Sequence, residues 1–397
     1  MRLLLLVLAI LPCFRQDADI DRLIQQLADD DVGVRDAADL QLRRIGAKAI
    51  PALKKAEASP EKEIVVRALA LRLDIDRAEN RTTALGRTNH LALPEGEVSL
   101  SDLVALVKNQ TSVELEVPKQ LLQDRVKIAG GRTLFWESLD RACAAHGGIR
   151  LPWSQAKAGV ALEPGPPGGG PVFYSGGLRV GIERLQLERG RSLGKDYAFL
   201  AIKVVAMWHP DIRPLRDGML VDEVVDGVGE RLGRASRTAV VMRGYGSGVG
   251  GFRNCADLAL LEAPAEGVRR LKSIKGHVGL SLPLMTPLLA FEKPADSVGQ
   301  VRHAGAYAIE LVSYHSDASG KRADFRCDVP DWDGRIREIA LVDPRGKRYP
   351  GKVASRENRL LTITFPKEAP SDLLELRLVS ETFDERIDFE FKNVELP

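Results

Sequence analysis

The apolar positions along the chain change their period once. Through the first third they recur mostly at helical spacing, and beyond about residue 172 they alternate. Ile20, Leu23, Ile24 and Leu27 stand at i, i+3, i+4 and i+7, which predicts an amphipathic helix. Asp29, Asp30 and Asp31 interrupt it. Val34, Ala38, Leu42 and Ile45 predict a second helix that ends at Gly46. A third is expected from Ala47 to Ala56, with Pro51 in its first turn. Ser59 is placed to cap a fourth, with Pro60 at the first helical position, where a missing N–H costs nothing. Ile64, Val65, Ala68, Leu69 and Leu73 line its inner face. Asp74 to Pro94 is polar and reads as an irregular connector carrying Arg77, Arg81 and Arg87.

Val98 to Leu151 mixes the two periods. Leu103, Val104, Leu106 and Val107 predict a short helix within Ser101–Asn109. Val113, Leu115 and Val117 alternate with polar residues as in a half-buried strand, which Pro118 ends. Val126 and Ile128 start another strand, and Gly130-Gly131 reads as a turn. Thr133 is then expected to cap a helix running to His146, with Phe135, Leu139, Ala142 and Cys143 on one face. Gly147 sits at the left-handed C-cap position, and Ile149 and Leu151 form a last short strand.

Gly165 to Pro171 (Gly-Pro-Pro-Gly-Gly-Gly-Pro) reads as a linker. Strands are expected after it over 178–187, 197–208, 219–225, 238–243, 257–262 and 277–282. A second set follows at 288–292, 308–314, 324–329, 336–342, 352–354, 360–365, 373–379 and 387–394. Asp343-Pro344-Arg345-Gly346 is a tight turn between two of them. This spacing predicts two antiparallel β-sandwiches of about seven strands each, with a boundary near Pro283 to Pro294. The fold class expected is multidomain α+β: helical repeats over 17–76, a small α/β module over 95–152, a Pro/Gly linker over 153–171, and sandwiches over 172–286 and 287–397.

Two resemblances refine this outline. Asp30, Asp31, Val34, Arg35, Ala37 and Ala38, followed by Ile45, Gly46, Ala49, Ile50, Pro51, Ala52 and Leu53, resemble HEAT-type repeats over about sixty residues. That implies helical hairpins that bind proteins through their faces. The runs VSLSDLVALVKNQTSVELEV and VKIAGGRTLFWESLDRACAAHGGIRL resemble the short N-terminal domain shared by secretins and TonB-dependent receptors. That implies a small α/β module that docks other proteins in a cell envelope. Neither a secretin pore nor a TonB-dependent barrel is expected after it, so those functions are not carried over.

Composition sharpens the picture where it concerns export. Arg2 precedes an apolar run from Leu3 to Leu11, then Pro12 and Cys13. This reads as a signal peptide over about residues 1–16, too short to span a bilayer. Cys13 raises lipidation, although Pro12 does not suit a lipobox. No other apolar run is long enough for a transmembrane helix. A net charge of +2 leaves no general field for nucleic acid or an anionic membrane. The remaining cysteines, Cys143, Cys255 and Cys327, are too scattered for a disulfide framework or zinc site; buried thiols are expected, with one pair possible.

Candidate chemistry is sparse. Gly246 to Gly251 matches G-x-G-x-x-G, but no helix of useful length or βαβ unit follows, so a hairpin loop is expected. Ser247 lacks the flanking glycines of a nucleophile elbow. His209 with Asp211, and His315 with Asp317, are local acid–base candidates that read more simply as turn residues. Asp328, Asp331 and Asp333 before Gly334 offer oxygen ligands for Ca²⁺ without the full loop pattern. Two basic stretches, Arg184/Arg189/Arg191/Lys195 and Arg269/Arg270/Lys272/Lys275, lack the aromatic interleaving that nucleic acid requires. The expectation is a non-catalytic exported or envelope protein with no cofactor and no metal, whose partners are envelope or secreted proteins. The alternative is a secreted hydrolase or a Ca-dependent carbohydrate-binding protein acting on an extracellular polymer.

Overall fold

The computed structural model describes residues 19–86, 90–153, 159–192, 195–234, 254–318, 320–329, 332–357, 359–370 and 372–397. It is mixed α+β, mostly strand, with several antiparallel sheets. The expected signal segment with Cys13, the strand 238–243, the Gly246–Gly251 loop and Asp331 lie outside the described residues. The chain divides into two compact units, Met1–Thr83 and Ala84–Pro397.

The first unit is helical. Helix α1 covers residues 19–26, α2 Val32–Ile45, α3 Ile50–Ala56 and α4 Lys62–Gly86. Leu23, Leu27, Leu42, Leu53, Ile64 and Leu71 share one core. The three aspartates break the chain as expected: the Asp31 carboxylate accepts the Gly33 N–H at 2.7 Å and caps α2. Ser59 accepts from the Glu61 N–H at 3.2 Å, so α4 starts two residues later than a Ser59 cap implies. The connector expected over Asp74 to Pro94 is in fact the second half of α4, as far as Gly86, and from His90 the start of a strand. The polarity of the helical part is offset by ion pairs at helical spacing, Arg72–Asp76 at 2.9 Å and Arg77–Asp74 at 3.0 Å. Arg43 of α2 also reaches Asp74, at 2.9 Å.

The second unit begins with β1 (His90–Ser99), which runs antiparallel to β3 (Arg125–Leu134), His90 opposite Leu134 and Ser99 opposite Arg125. Helix α5 (Leu100–Thr111) and the two-residue strand β2 (Leu115–Glu116) lie between them. Ser99 caps α5 by accepting the Asp102 N–H at 3.1 Å. Gly130 and Gly131 do not turn the chain. They lie inside β3, and Gly130 stands where Pro94, which has no N–H to donate, interrupts the ladder. A Cβ on Gly130 would fall 2.8 Å from that of Glu95, and φ is +73°. Helix α6 (Phe135–His146) follows directly from β3. Thr133 is therefore a strand residue, and its hydroxyl meets that of Ser138 at 2.6 Å instead of capping. Gly147 closes α6 in the left-handed conformation. Then β4 (Ile149–Arg150) pairs with β6 (Glu163–Pro164), and β2 pairs in parallel with β5 (Val160–Ala161).

Strands β7 (Val172–Ser175), β8 (Leu178–Ser192), β9 (Lys195–Trp208) and β11 (Asn254–Glu262) form a sheet in the order β11-β9-β8-β7. Strands β10 (Arg216–Asp226), β12 (Arg270–Met285) and β22 (Glu381–Glu395) form another, in the order β10-β12-β22. The two sheets enclose one core, including Val180, Ile202, Trp208, Val278, Leu280 and Phe391. Where β10 bulges between Val221 and Glu223, the Asp257 carboxylate of β11 accepts the Val221 N–H at 2.8 Å. Arg234 donates to the Val221 carbonyl at 2.7 Å. At the other edge, β7 lies against β22.

Residue 286 is not a simple boundary. The last strand, expected in the second β region, pairs along its length with β12 of the first, Arg270 opposite Glu395 and Met285 opposite Glu381. Its inward positions Phe389, Phe391 and Val394 complete the first core. What intervenes is an insertion. Within it, β13 (Leu288–Glu292), β17 (Ile336–Val342), β18 (Arg348–Pro350) and β21 (Leu373–Leu378) form the sheet β13-β21-β17-β18. The companion sheet, in the order β14-β15-β16-β20-β19, comprises β14 (Val301–Ala304), β15 (Tyr307–Asp317), β16 (Gly320–Cys327), β19 (Lys352–Glu357) and β20 (Leu360–Phe365). Phe291, Leu311, Phe325, Leu341, Ile363 and Leu376 belong to their shared core. The Asp343 turn forms as expected, with Gly346 N–H to the Asp343 carbonyl at 2.9 Å.

Candidate functional site

The α/β module and the first β region are joined through side chains that alternate at the end of β9. Met207 belongs to the core of the α/β module, and its neighbour Trp208 to the core of the β sheets. One strand thus supplies both interiors. The Gly177 carbonyl, in the turn before β8, accepts the Trp136 indole N–H at 2.9 Å and the His209 N–H at 2.7 Å. The His209 ring is fully buried and lies edge-on to Phe135, with centroids 4.6 Å apart.

Beside this joint lies a cleft of about 790 Å³. Its floor is an ion pair: Arg179 of β8 grips Asp140 of α6 with two bonds, Nε–Oδ2 at 2.7 Å and Nη2–Oδ1 at 2.9 Å. Arg179 is only 3% exposed, and its remaining nitrogen faces the Met207 sulfur at 3.7 Å. The Tyr174 hydroxyl donates to the same carboxylate at 2.7 Å. The Trp153 ring lies over the Arg179 guanidinium at 3.7 Å. Trp153 is fixed in turn: Asn254 donates to its carbonyl at 2.8 Å, and its ring edge occupies the space a side chain on Gly181 would need, 2.3 Å from the Cβ position. Pro166 to Gly170 forms one wall. The segment read as a linker is therefore a strap between β6 and β7.

The charges around the rim are also matched. Arg150 meets Glu163 at 2.9 Å, Arg141 meets Glu137 at 2.6 Å, and Lys203 meets Glu183 at 2.6 Å. Burial, followed by the Asp140 charge, pushes the Cys143 thiol up to about 12, against the opposing pull of Arg179. The same two causes push the Tyr174 hydroxyl well above its ordinary range. Both groups keep their protons at neutral pH, so Tyr174 serves as a donor and Cys143 is not a thiolate nucleophile.

The residues singled out from sequence are not brought into this cleft. His209 packs behind it, with Nδ1 accepting the Asp211 N–H at 3.3 Å; that makes it a structural acceptor within a turn. His315 and Asp317 lie on β15 of the inserted region, a separate core. Asp333 is bound by Arg356 at 3.0 Å, and Asp328 faces Arg359 at 3.6 Å. Among the described residues no group of three or more His, Cys, Asp or Glu is arranged to hold a metal ion. Cys143, Cys255 and Cys327 are free and buried. Among the described residues no helix is long and apolar enough to cross a membrane.

Sequence reasoning missed two arrangements that depend on register. His277 of β12 meets Asp222 of β10 at 2.7 Å, and Arg386 of β22 reaches the same carboxylate at 3.4 Å. Asp140 and Arg179 are separated by 39 positions, and no local spacing connects them. The only hint was an arginine among the apolar residues that open β8.

Comparison with known protein families, with curated proteins and with solved structures finds no match to the chain.

Proposed function

We propose that the chain is a non-catalytic exported or envelope protein that acts by binding other proteins, and that the cleft beside Trp153 is its principal docking surface. The observation that carries this reading is the state of the cleft's polar groups. Asp140, Arg179, Tyr174 and Trp153 are committed to one another, and the rim charges are paired. Such a surface is rigid before any partner arrives, and it presents matched charge to that partner. Pre-organisation of this kind lowers the ordering cost of association. The thiol and phenol held in their protonated forms also favour recognition over nucleophilic chemistry.

The same reading treats the first unit as HEAT-like hairpins and residues 95–152 as a module like the short N-terminal domain of secretins and TonB-dependent receptors. Support lies in the helix order α1–α4 and in the succession of helices and short strands from β1 to β4. The two β regions are read as sandwiches, the second inserted into the first; two packed sheets around each core favour this. Export rests on the apolar run Leu3–Leu11 behind Arg2.

The test is affinity capture from envelope extract of the source cells, using the full chain and a double variant, Arg141→Glu with Arg150→Glu. Both side chains are more than half exposed, so the fold is expected to survive. A discrete protein retained by the wild type and lost by the variant is the expected result. Equal retention by both, or turnover of an extracellular polymer by the purified chain, contradicts the reading.

A further inference from the structure

β8 is longer than the strand that covers it. On one side β9 pairs with it from Leu178 to Ser192. On the other side β7 pairs with it only from Leu178 to Gly181. Pairing with β9 shifts between Ile182 and Arg184, where β8 bulges. Among the described residues, no strand and no backbone hydrogen bond occupies this second edge over residues 183–192. The side chains along it sort into two faces. Leu185 and Leu187 pack on the core, and Arg184, Gln186 and Glu188 alternate with them on the outer face. Charge is matched at the two ends of the edge, with Glu183 on Lys203 at 2.6 Å and Arg191 facing Asp196 at 3.5 Å. Between these ends it is not. Arg184 is exposed and has no carboxylate partner among the described residues. Glu188 accepts from the Gln186 amide at 2.5 Å and meets no cation among them. The edge also opens toward the cleft, because Ile182 and Glu183, where it begins, are among the cleft's lining residues.

An uncovered strand edge offers a row of N–H and C=O groups to any extended chain. When a peptide adds there, the main-chain bonds hold it and the side chains opposite select it. A second copy of β8 does not fit. A two-fold pairing that sets Arg184 opposite Glu188 would put Ser192 opposite Val180, where β7 already places Phe173. A single extended segment meets no such obstacle. We propose that the uncovered edge of β8 takes up an extended segment of the partner protein as an added antiparallel strand, in the lane and direction of β7, with a basic side chain opposite Glu188, an acidic one opposite Arg184, and its onward course into the cleft beside Trp153. This rests on the docking reading of the cleft and names the form in which the partner binds. Opposite charges directly across a strand pair attract and like charges repel. The segment's base therefore precedes its acid by four residues, and the reverse order sets like charges opposite each other at both positions.

Fluorescence anisotropy with the full chain tests this. One labelled probe is a short peptide of alternating Thr and Val with a lysine at its third position and an aspartate at its seventh; a second probe exchanges the two charges. Wild type is expected to bind the first probe about fivefold more tightly than the second. The double variant Arg184→Glu with Glu188→Arg is expected to reverse that preference, and both side chains stand on the outer face, so the fold is expected to survive. Methylating the backbone nitrogens of the first probe removes its ladder donors and is expected to abolish binding. Binding of neither probe, equal affinity for both, a preference the double variant does not reverse, or binding that survives methylation overturns the proposal. So does a dimer of the wild type that the double variant abolishes. A photo-activated cross-linker at Gln186, compared with one at Arg141 on the cleft rim, separates this proposal from the docking reading. The same partner is expected at both positions. An adduct at Arg141 alone overturns strand addition and leaves the docking reading standing, and none at either position overturns both.

Discussion

At the scale of single residues, the cleft floor is where charge is most consequential. Arg179 is nearly inaccessible, and Asp140 is its only carboxylate partner among the described residues. Removing one member of a buried pair strands the other, at a cost of about 3–5 kcal/mol, whereas removing both costs much less. Asp140→Ala is therefore expected to lower stability by about that amount, and Asp140→Ala with Arg179→Met to recover much of it; chemical denaturation of the two variants checks both. Tyr174→Phe removes one hydrogen bond to the same carboxylate and is expected to cost about 1 kcal/mol by the same measurement.

Asp217 of β10 makes a pH prediction. Burial pushes its carboxyl up to about 6 from an ordinary value of 3.8. The folded state then holds a proton that the unfolded state has lost, so stability is fully present below about pH 4 and falls as pH rises toward 6. Above that the loss is constant. Asp217→Asn removes this dependence. Its melting temperature is expected to exceed that of the wild type at pH 7.5 and to match it near pH 4. These carboxylates show what the sequence conceals. Asp257 is followed at period two by Ala259 and Leu261, so strand parity alone places it inside. Only coordinates show that it is held there by the Val221 N–H at the bulge in β10.

At the scale of elements, most strands follow from alternation: residues 288–292, 336–342 and 360–365 begin and end where the pattern does. The misses have local causes. α4 runs into the polar segment because ion pairs at i+3 and i+4 replace apolar support, and β1 was hidden by Pro94 and Gly96 in its middle. Which strand pairs with which was not legible, because alternation carries no partner information. β22 is the clearest case. Met285 and Glu381 stand opposite each other where β12 and β22 meet, and the Ser380 N–H bonds the Met285 carbonyl at 3.0 Å. The ends of the insertion are thus adjacent. Replacing residues 286–380 by a two-residue Asn-Gly turn is expected to leave a soluble chain whose remaining unfolding transition is cooperative, since the turn simply closes the β12–β22 hairpin. Truncation after Ser380 is expected to do the reverse: it removes Phe389, Phe391 and Val394 from the first core and leaves an aggregating product. Solubility and circular dichroism melts of the two shortened chains decide between these outcomes.

At the scale of the whole molecule, the chain is less a string of independent parts than its sequence suggests. The second unit interlocks three pieces. The α/β module and the first β region share the end of β9, and the inserted region begins and ends on neighbouring strands. The cleft owes its shape to that interlocking, for its floor comes from α6 and β8, its wall from the strap after β6, and its aromatic face from the segment after β4. The most direct test of a docking role is a photo-activated cross-linker placed at Arg141 on the cleft rim, in the cells that make the protein. A docking cleft is expected to give a light-dependent adduct with one defined envelope or secreted protein, absent when the cross-linker stands at Arg345 on the exposed Asp343 turn. No adduct at Arg141, or the same adducts at both positions, would contradict it.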